Sequence, residues 1–103
     1  MTGYGFHPEA SVDIDDIWEF IAADNIDAAN RVVEDVLEAI DLLVAFPHQG
    51  HRNPNLTSRP LRFKLVREYV IAYAPEKKPL WVVAVFHGRR NPRVIAAILR
   101  SRE

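Results

Sequence analysis

The chain has 103 residues, a formal net charge of −1 and no cysteine. That length suits a single domain, residues 1–103, and 49% hydrophobic residues suffice for a modest core. The composition excludes global disorder, and the missing cysteine excludes a disulfide scaffold, a thiolate zinc site and a cysteine nucleophile. The near-neutral total hides a polarised chain. Residues 1–50 hold 11 acidic residues against one basic residue, Arg31, a balance of −10. Residues 51–103 hold 12 basic against three acidic, a balance of +9. Such asymmetry between halves points to a charged partner. The absence of cysteine fits a reducing cytoplasm. No basic stretch followed by an apolar run opens the chain, so no signal peptide is expected. The longest apolar run, residues 80–86, is too short to span a bilayer, so no membrane association is expected.

Taken in chain order, Tyr4 and Phe6 alternate with Gly3, Gly5 and His7, the pattern of a short strand. Pro8 suits the first position of a helix, where its missing N–H is not needed. Ala10, Ile14, Ile17, Trp18 and Ile21 then recur at helical spacing, with Glu9, Asp13, Asp16 and Glu19 expected on the solvated side and Trp18 in the core. Asp24 and Asn25 make a turn and an N-cap. A second helix carries Ala29, Val33, Val36, Leu37, Ile40 and Leu43 on its apolar stripe and stops at Pro47 and Gly50. The two helices form an antiparallel hairpin. A loop follows to Pro60. Leu61, Phe63 and Leu65 then alternate with Arg62, Lys64 and Val66, a half-buried strand with a basic outer face. Arg67 and Glu68 make a tight turn into a strand over residues 69–73. Residues 80–86, apolar throughout, read as a strand covered on both faces. Short turns make the three strands an antiparallel meander. Asn91 and Pro92 then start a final helix bearing Val94, Ile95, Ile98 and Leu99, with Arg100 and Arg102 at its negative end. The expected class is α+β: a small antiparallel sheet packed against an N-terminal helical hairpin, order β-α-α-β-β-β-α. The acidic helix faces are expected opposite the basic sheet face, and the place of the first strand in the sheet is open.

The cationic residues are the main candidates for function. Arg62 and Lys64 share a strand face, Arg59 and Arg67 flank it, and Arg89, Arg90 and Arg93 leave the end of the last strand. A curled sheet would bring them towards one concave surface that suits phosphate or carboxylate groups. The bland alternative is a solvated face, or ion pairs with the acidic half. His87 adjoins Arg89 and Arg90 and is a candidate general acid or base, against a plain role at a strand end. His48 and His51 have HxxH spacing but no supporting carboxylate, so no metal site is expected, nor any cofactor. Phe63, Tyr69, Tyr73, Trp81 and Phe86 suit base stacking on an open sheet, but their alternation with β-branched residues favours a core.

Four blocks in order resemble the ParE/RelE superfamily, toxins of bacterial type II toxin–antitoxin pairs also called plasmid stabilisation proteins. They are FHPEASVDIDDIWEFIA (residues 6–22), AANRVVEDVLEAIDLLVAFPHQG (28–50), RPLRFKLVREYVIAY (59–73), and VVAVFHGRRNP (82–92) followed by ILRSR (98–102). The resemblance implies a small sheet against a helical hairpin and two alternative activities. RelE-like members cut mRNA on the ribosome, for which Arg62, Lys64, His87, Arg89 and Arg90 would be the catalytic set. ParE-like members inhibit DNA gyrase without being nucleases. The final helix offers only aliphatic residues where RelE proper has its catalytic tyrosine, which favours the ParE branch. The implied partners are gyrase and a cognate ParD-like ribbon-helix-helix antitoxin, through which alone operator DNA is met. Arg59, Arg62, Lys64, Arg67, Arg89, Arg90 and Arg93 are the expected contact set for antitoxin or target. An antitoxin tail would also need an exposed apolar groove on the isolated chain. A domain that has lost toxicity is the third reading.

Overall fold

The computed structural model describes residues 3–103. Its elements are β1 (Tyr4–Phe6), α1 (Pro8–Ala22), α2 (Ile26–Ala45), β2 (Arg62–Val66), β3 (Tyr69–Ala74), β4 (Leu80–His87) and α3 (Pro92–Ser101). This is the α+β order expected from the sequence. Pro8 and Pro92 open their helices, and the side chains of Asn25 and Asn91 accept N–H bonds from Ala28 and Arg93. The sheet order is β1-β4-β3-β2. β2, β3 and β4 form the antiparallel meander, and β1 adds to β4 in parallel, so the complete sheet is mixed.

Two cores flank the sheet. The α1–α2 hairpin covers one face with Ala10, Val32, Val36, Ile40 and Leu43 against Tyr69, Ile71, Tyr73, Leu80, Val82 and Val85. On α2 the fully buried stripe runs through Val32, and Val33 is half-buried. Trp18 departs from the expected core position: it is half-buried at the hairpin seam, where its Nε1 donates to Asn30 Oδ1 at 2.8 Å. On the opposite face α3 supplies Ile95 and Leu99 to a second core with Leu61, Phe63, Ala72, Val83, Ala84 and Phe86. β4 is thus apolar on both sides because both sides are covered.

The alternation of β4 breaks once. Tyr73 pairs with Val82 and Ala72 with Ala84, leaving Val83 as the extra residue of a β-bulge. Val83 and Ala84 consequently both face the α3 core, while Val82 and Val85 face the hairpin. β1 ends at Phe6, and its last ladder bond runs from His7 N–H to Val82 O. Beyond that point, two side chains take the place of a strand. Val85 N–H donates to Asp13 Oδ2 at 3.0 Å, and Arg102 Nη1 donates to Val83 O at 3.1 Å. Arg102 also grips Asp13 through two bonds, Nη1 to Oδ2 at 2.6 Å and Nη2 to Oδ1 at 3.0 Å. The Asp13 bond holds the Arg102 guanidinium above its ordinary pKa, against the opposing effect of burial. This corrects one expectation, since Asp13 is not on the solvated helix face. Arg102 ends α3 as expected, and it is also a buried clamp. A bidentate pair that also completes the sheet edge satisfies nearly all the hydrogen-bonding capacity it buries.

Tyr73 performs a similar task at the exit of α2. Its buried hydroxyl accepts from Gly50 N–H at 3.0 Å and donates to Pro47 O at 2.7 Å. A Cβ on Gly50 would lie 2.6 Å from that hydroxyl and 2.9 Å from Phe63 O, so only glycine lets the loop approach so closely.

Asp13→Ala is expected to cost about 3 kcal/mol or more in urea denaturation, because it leaves the Arg102 charge and Val85 N–H without a partner. Asp13→Asn, which keeps an acceptor for Val85, should lose less. Burial raises the phenolic pKa of Tyr73, Tyr69 and Tyr4. Above the ordinary tyrosine value of 10.0 the native state therefore holds more protons than the unfolded chain. Stability should be level in this respect below that pH and fall as pH rises through the raised native values. Tyr73→Phe should make the alkaline fall shallower while costing roughly 2 kcal/mol at neutral pH.

Candidate functional site

The cationic residues named from sequence do not form one surface. Arg62, Lys64 and Val66 of β2 pair opposite Tyr73, Ile71 and Tyr69, so they share the face that the helical hairpin covers. The expected layout, acidic helices on one side and a basic sheet face on the other, is therefore corrected. The physical reason is the second core: α3 draws the apolar side of β2, Leu61 and Phe63, to its own face. Several of the cations are engaged within the molecule. Arg62 Nη1 donates to Gly50 O at 2.7 Å and His48 O at 3.3 Å. Arg59 Nη1 donates to Leu99 O at 2.8 Å, tying the long loop to α3. Arg67, at φ 56° in the two-residue β2–β3 turn, donates from Nε to Asp35 Oδ2 at 2.6 Å. That pair is half-exposed and is worth at most about 1 kcal/mol.

Of the seven cations named from sequence, four keep their charge available. Lys64, Arg89, Arg90 and Arg93 have no side-chain partner among the described residues, and the three arginines are exposed. The three arginines cluster at the corner after β4, which is held by Gly88 N–H to Glu68 O at 2.8 Å and Arg90 N–H to His87 O at 3.0 Å. At this corner His87 Nδ1 accepts from Arg89 N–H at 3.0 Å, and Nε2 lies 3.4 Å from Glu68 Oε2. The ring stands edge-on to Tyr69, 5.5 Å between centroids. Among the described residues no group of three His, Asp or Glu side chains is arranged to hold a metal ion. His48 pairs with Glu76 at 2.8 Å, and His51 bridges to β2 through its backbone. The sheet aromatics lie in the cores, as their alternation with β-branched residues suggested, with Trp81 half-buried.

One concave feature is a groove of about 560 Å³ on the α3 side of the sheet. Phe63, Leu65, Val70 and Phe86 form its floor, Leu56 and Ile95 its walls, and Arg52 and Arg90 bring charge to it. An apolar groove was expected, but its residues were not named. Leu65 carried the signal: it continues the apolar alternation of β2 beyond the part of the strand that the loop and α3 cover, and is 63% exposed. Arg52, a lone cation in a loop, carried none.

A family model described as ParE toxin of type II toxin–antitoxin system, parDE, matches residues 4–92. The chain belongs to this ParE toxin family. No curated protein matches it. Membership makes it a toxin with a cognate antitoxin partner, in agreement with the four sequence blocks. The matched span includes Asp13, the β2 edge and the arginine corner up to Pro92, but not Arg102. Among the described residues no helix is long and apolar enough to cross a membrane.

The two groups of cations should separate experimentally. Arg62→Ala, which frees two loop carbonyls, is expected to lower stability by roughly 1–3 kcal/mol in thermal unfolding. Arg89→Ala, without a side-chain partner, should stay within about 0.5 kcal/mol of the parent.

Proposed function

We propose that this toxin acts by protein contact on DNA gyrase in the cytoplasm, and that its antitoxin neutralises it by covering the surface around Lys64 and the Arg89–Arg93 corner. The observation that supports this reading is the state of His87, whose two ring nitrogens already face Arg89 N–H and the Glu68 carboxylate. RNA cleavage needs one group to take the 2′-hydroxyl proton and another to protonate the leaving oxygen. The polar side chains of α3 are Arg93, Arg100 and Ser101, none of them a proton shuttle near neutral pH. Lys64, Arg89, Arg90 and Arg93 supply positive charge, which serves a docking surface without proton transfer. Arg59, Arg62 and Arg67 act in this reading mainly by holding the loop, α3 and the β2–β3 turn in place. Operator DNA is met only through the antitoxin.

The purified chain in molar excess over gyrase is expected to inhibit supercoiling, and added antitoxin to restore it. Unaffected supercoiling, together with cleavage of ribosome-bound mRNA that His87→Ala abolishes, would overturn this reading in favour of an endoribonuclease.

A further inference from the structure

The β4 edge that β1 leaves open continues past the point where Arg102 closes it. Val85 N–H meets Asp13 at this edge, and Gly88 N–H turns the other way to Glu68 O. Alternation therefore puts the backbone of both Val85 and His87 on the open edge. His87 C=O accepts from Arg90 N–H. Val85 C=O and His87 N–H have no partner among the described residues.

Beside them lies a hollow of about 320 Å³ between α1 and the end of β4. Asp13, Asp16, Ile17 and Phe20 line it from α1, at the spacing of one helix face. Phe20 is 79% exposed, more than any other large apolar residue among those described. Asp16 is exposed, and its carboxylate has no partner among the described residues. The molecule itself shows what fits such a place. One step back along the same edge, the Arg102 guanidinium bonds Val83 C=O and the Asp13 carboxylate together. Two residues further along β4 and three along α1, Val85 C=O and Asp16 offer an acceptor and a carboxylate again. No arginine of the chain fills this second place, since Arg90, at the rim, bonds neither group.

We infer that the hollow receives an arginine side chain of the toxin's target protein. Its guanidinium bonds Asp16 and Val85 C=O and stacks on the Phe20 ring, while its aliphatic stem lies against Ile17. Lysine fits less well, because a point charge neither forks between two acceptors nor stacks. A phosphate is disfavoured by the two carboxylates of α1. Asp13 is already neutralised by Arg102, so Asp16 supplies the attraction and Arg90 the opposing charge. Arg90 is exposed, which screens that repulsion and leaves its side chain room to turn to solvent.

The inference rests on the reading that the toxin acts by contact with gyrase, so its test begins with supercoiling. Phe20→Ala and Asp16→Asn are each expected to need about tenfold or more toxin for half-inhibition, and Asp16→Glu to stay within about threefold of the parent. Both positions are exposed, so thermal unfolding of the variants should match that of the parent. Titration of the free chain with N-acetylarginine amide should shift the Phe20 ring and His87 amide resonances, and the lysine analogue should shift them at least about threefold less. A parent that inhibits gyrase, with both variants inhibiting within about twofold of it, overturns the arginine site and leaves the gyrase reading standing. A parent without effect on supercoiling overturns both. Absence of the resonance shifts, or equal shifts with the lysine analogue, overturns the guanidinium site whichever way the supercoiling assay falls. Variants that inhibit as the parent does but no longer bind antitoxin would place the arginine on the antitoxin, which also overturns the assignment to the target.

Discussion

The Asp13–Arg102 pair is the contact through which the ends of this fold are joined. β1 is three residues long, and the β4 edge beyond it would leave Val83 C=O and Val85 N–H unpaired inside the molecule. A buried peptide group without a partner costs as much as a lost hydrogen bond. One carboxylate from α1 and one guanidinium from the end of α3 fill both places and neutralise each other. The bulge at Val83 makes the arrangement possible, since it turns the two backbone groups to the edge where the side chains lie. The same bulge sends Val83 and Ala84 to one face and so sustains a second core under α3.

That second core decides how the charge of the chain is used. With α3 drawing Leu61 and Phe63 to its face, the cations of β2 turn to the hairpin side. There Arg62 becomes a clasp on the loop after α2, and nearby Arg67 pairs with Asp35. Part of the −10 against +9 asymmetry is thus resolved inside the molecule. Among the cations named from sequence, those that remain available to a partner are Lys64 at the strand edge and the arginines of the corner after β4. Their charge favours encounter with an acidic surface, and the groove beside them offers apolar area for tight contact.

Much of this was legible in the sequence. The elements, their order, the asparagine caps and the proline starts follow from local rules, because each involves residues within one or two turns of one another. The four blocks pointed to the superfamily to which the chain belongs. Asp13 had left a trace as well: three residues after Ala10 and four before Ile17, it borders the apolar stripe of α1, a poor place for an unpaired acid. Nothing local indicated its partner, which lies 89 positions away. Trp18 looked like a core residue because its ring is apolar, whereas its N–H needs a partner and finds one at the hairpin seam.

The sequence by itself determined the α+β order, the amphipathic hairpin, the doubly covered β4 and the family, since periodicity and capping act over short separations. The tertiary structure alone decided that β1 runs parallel to β4, that β4 bulges at Val83, and that Arg102 closes the edge β1 leaves open. It also decided which face of β2 bears the cations, and that Val85 C=O stays unpaired at the β4 edge. Each of these depends on which distant surface covers a strand, and an alternating pattern states that a strand has two faces without stating what meets either one.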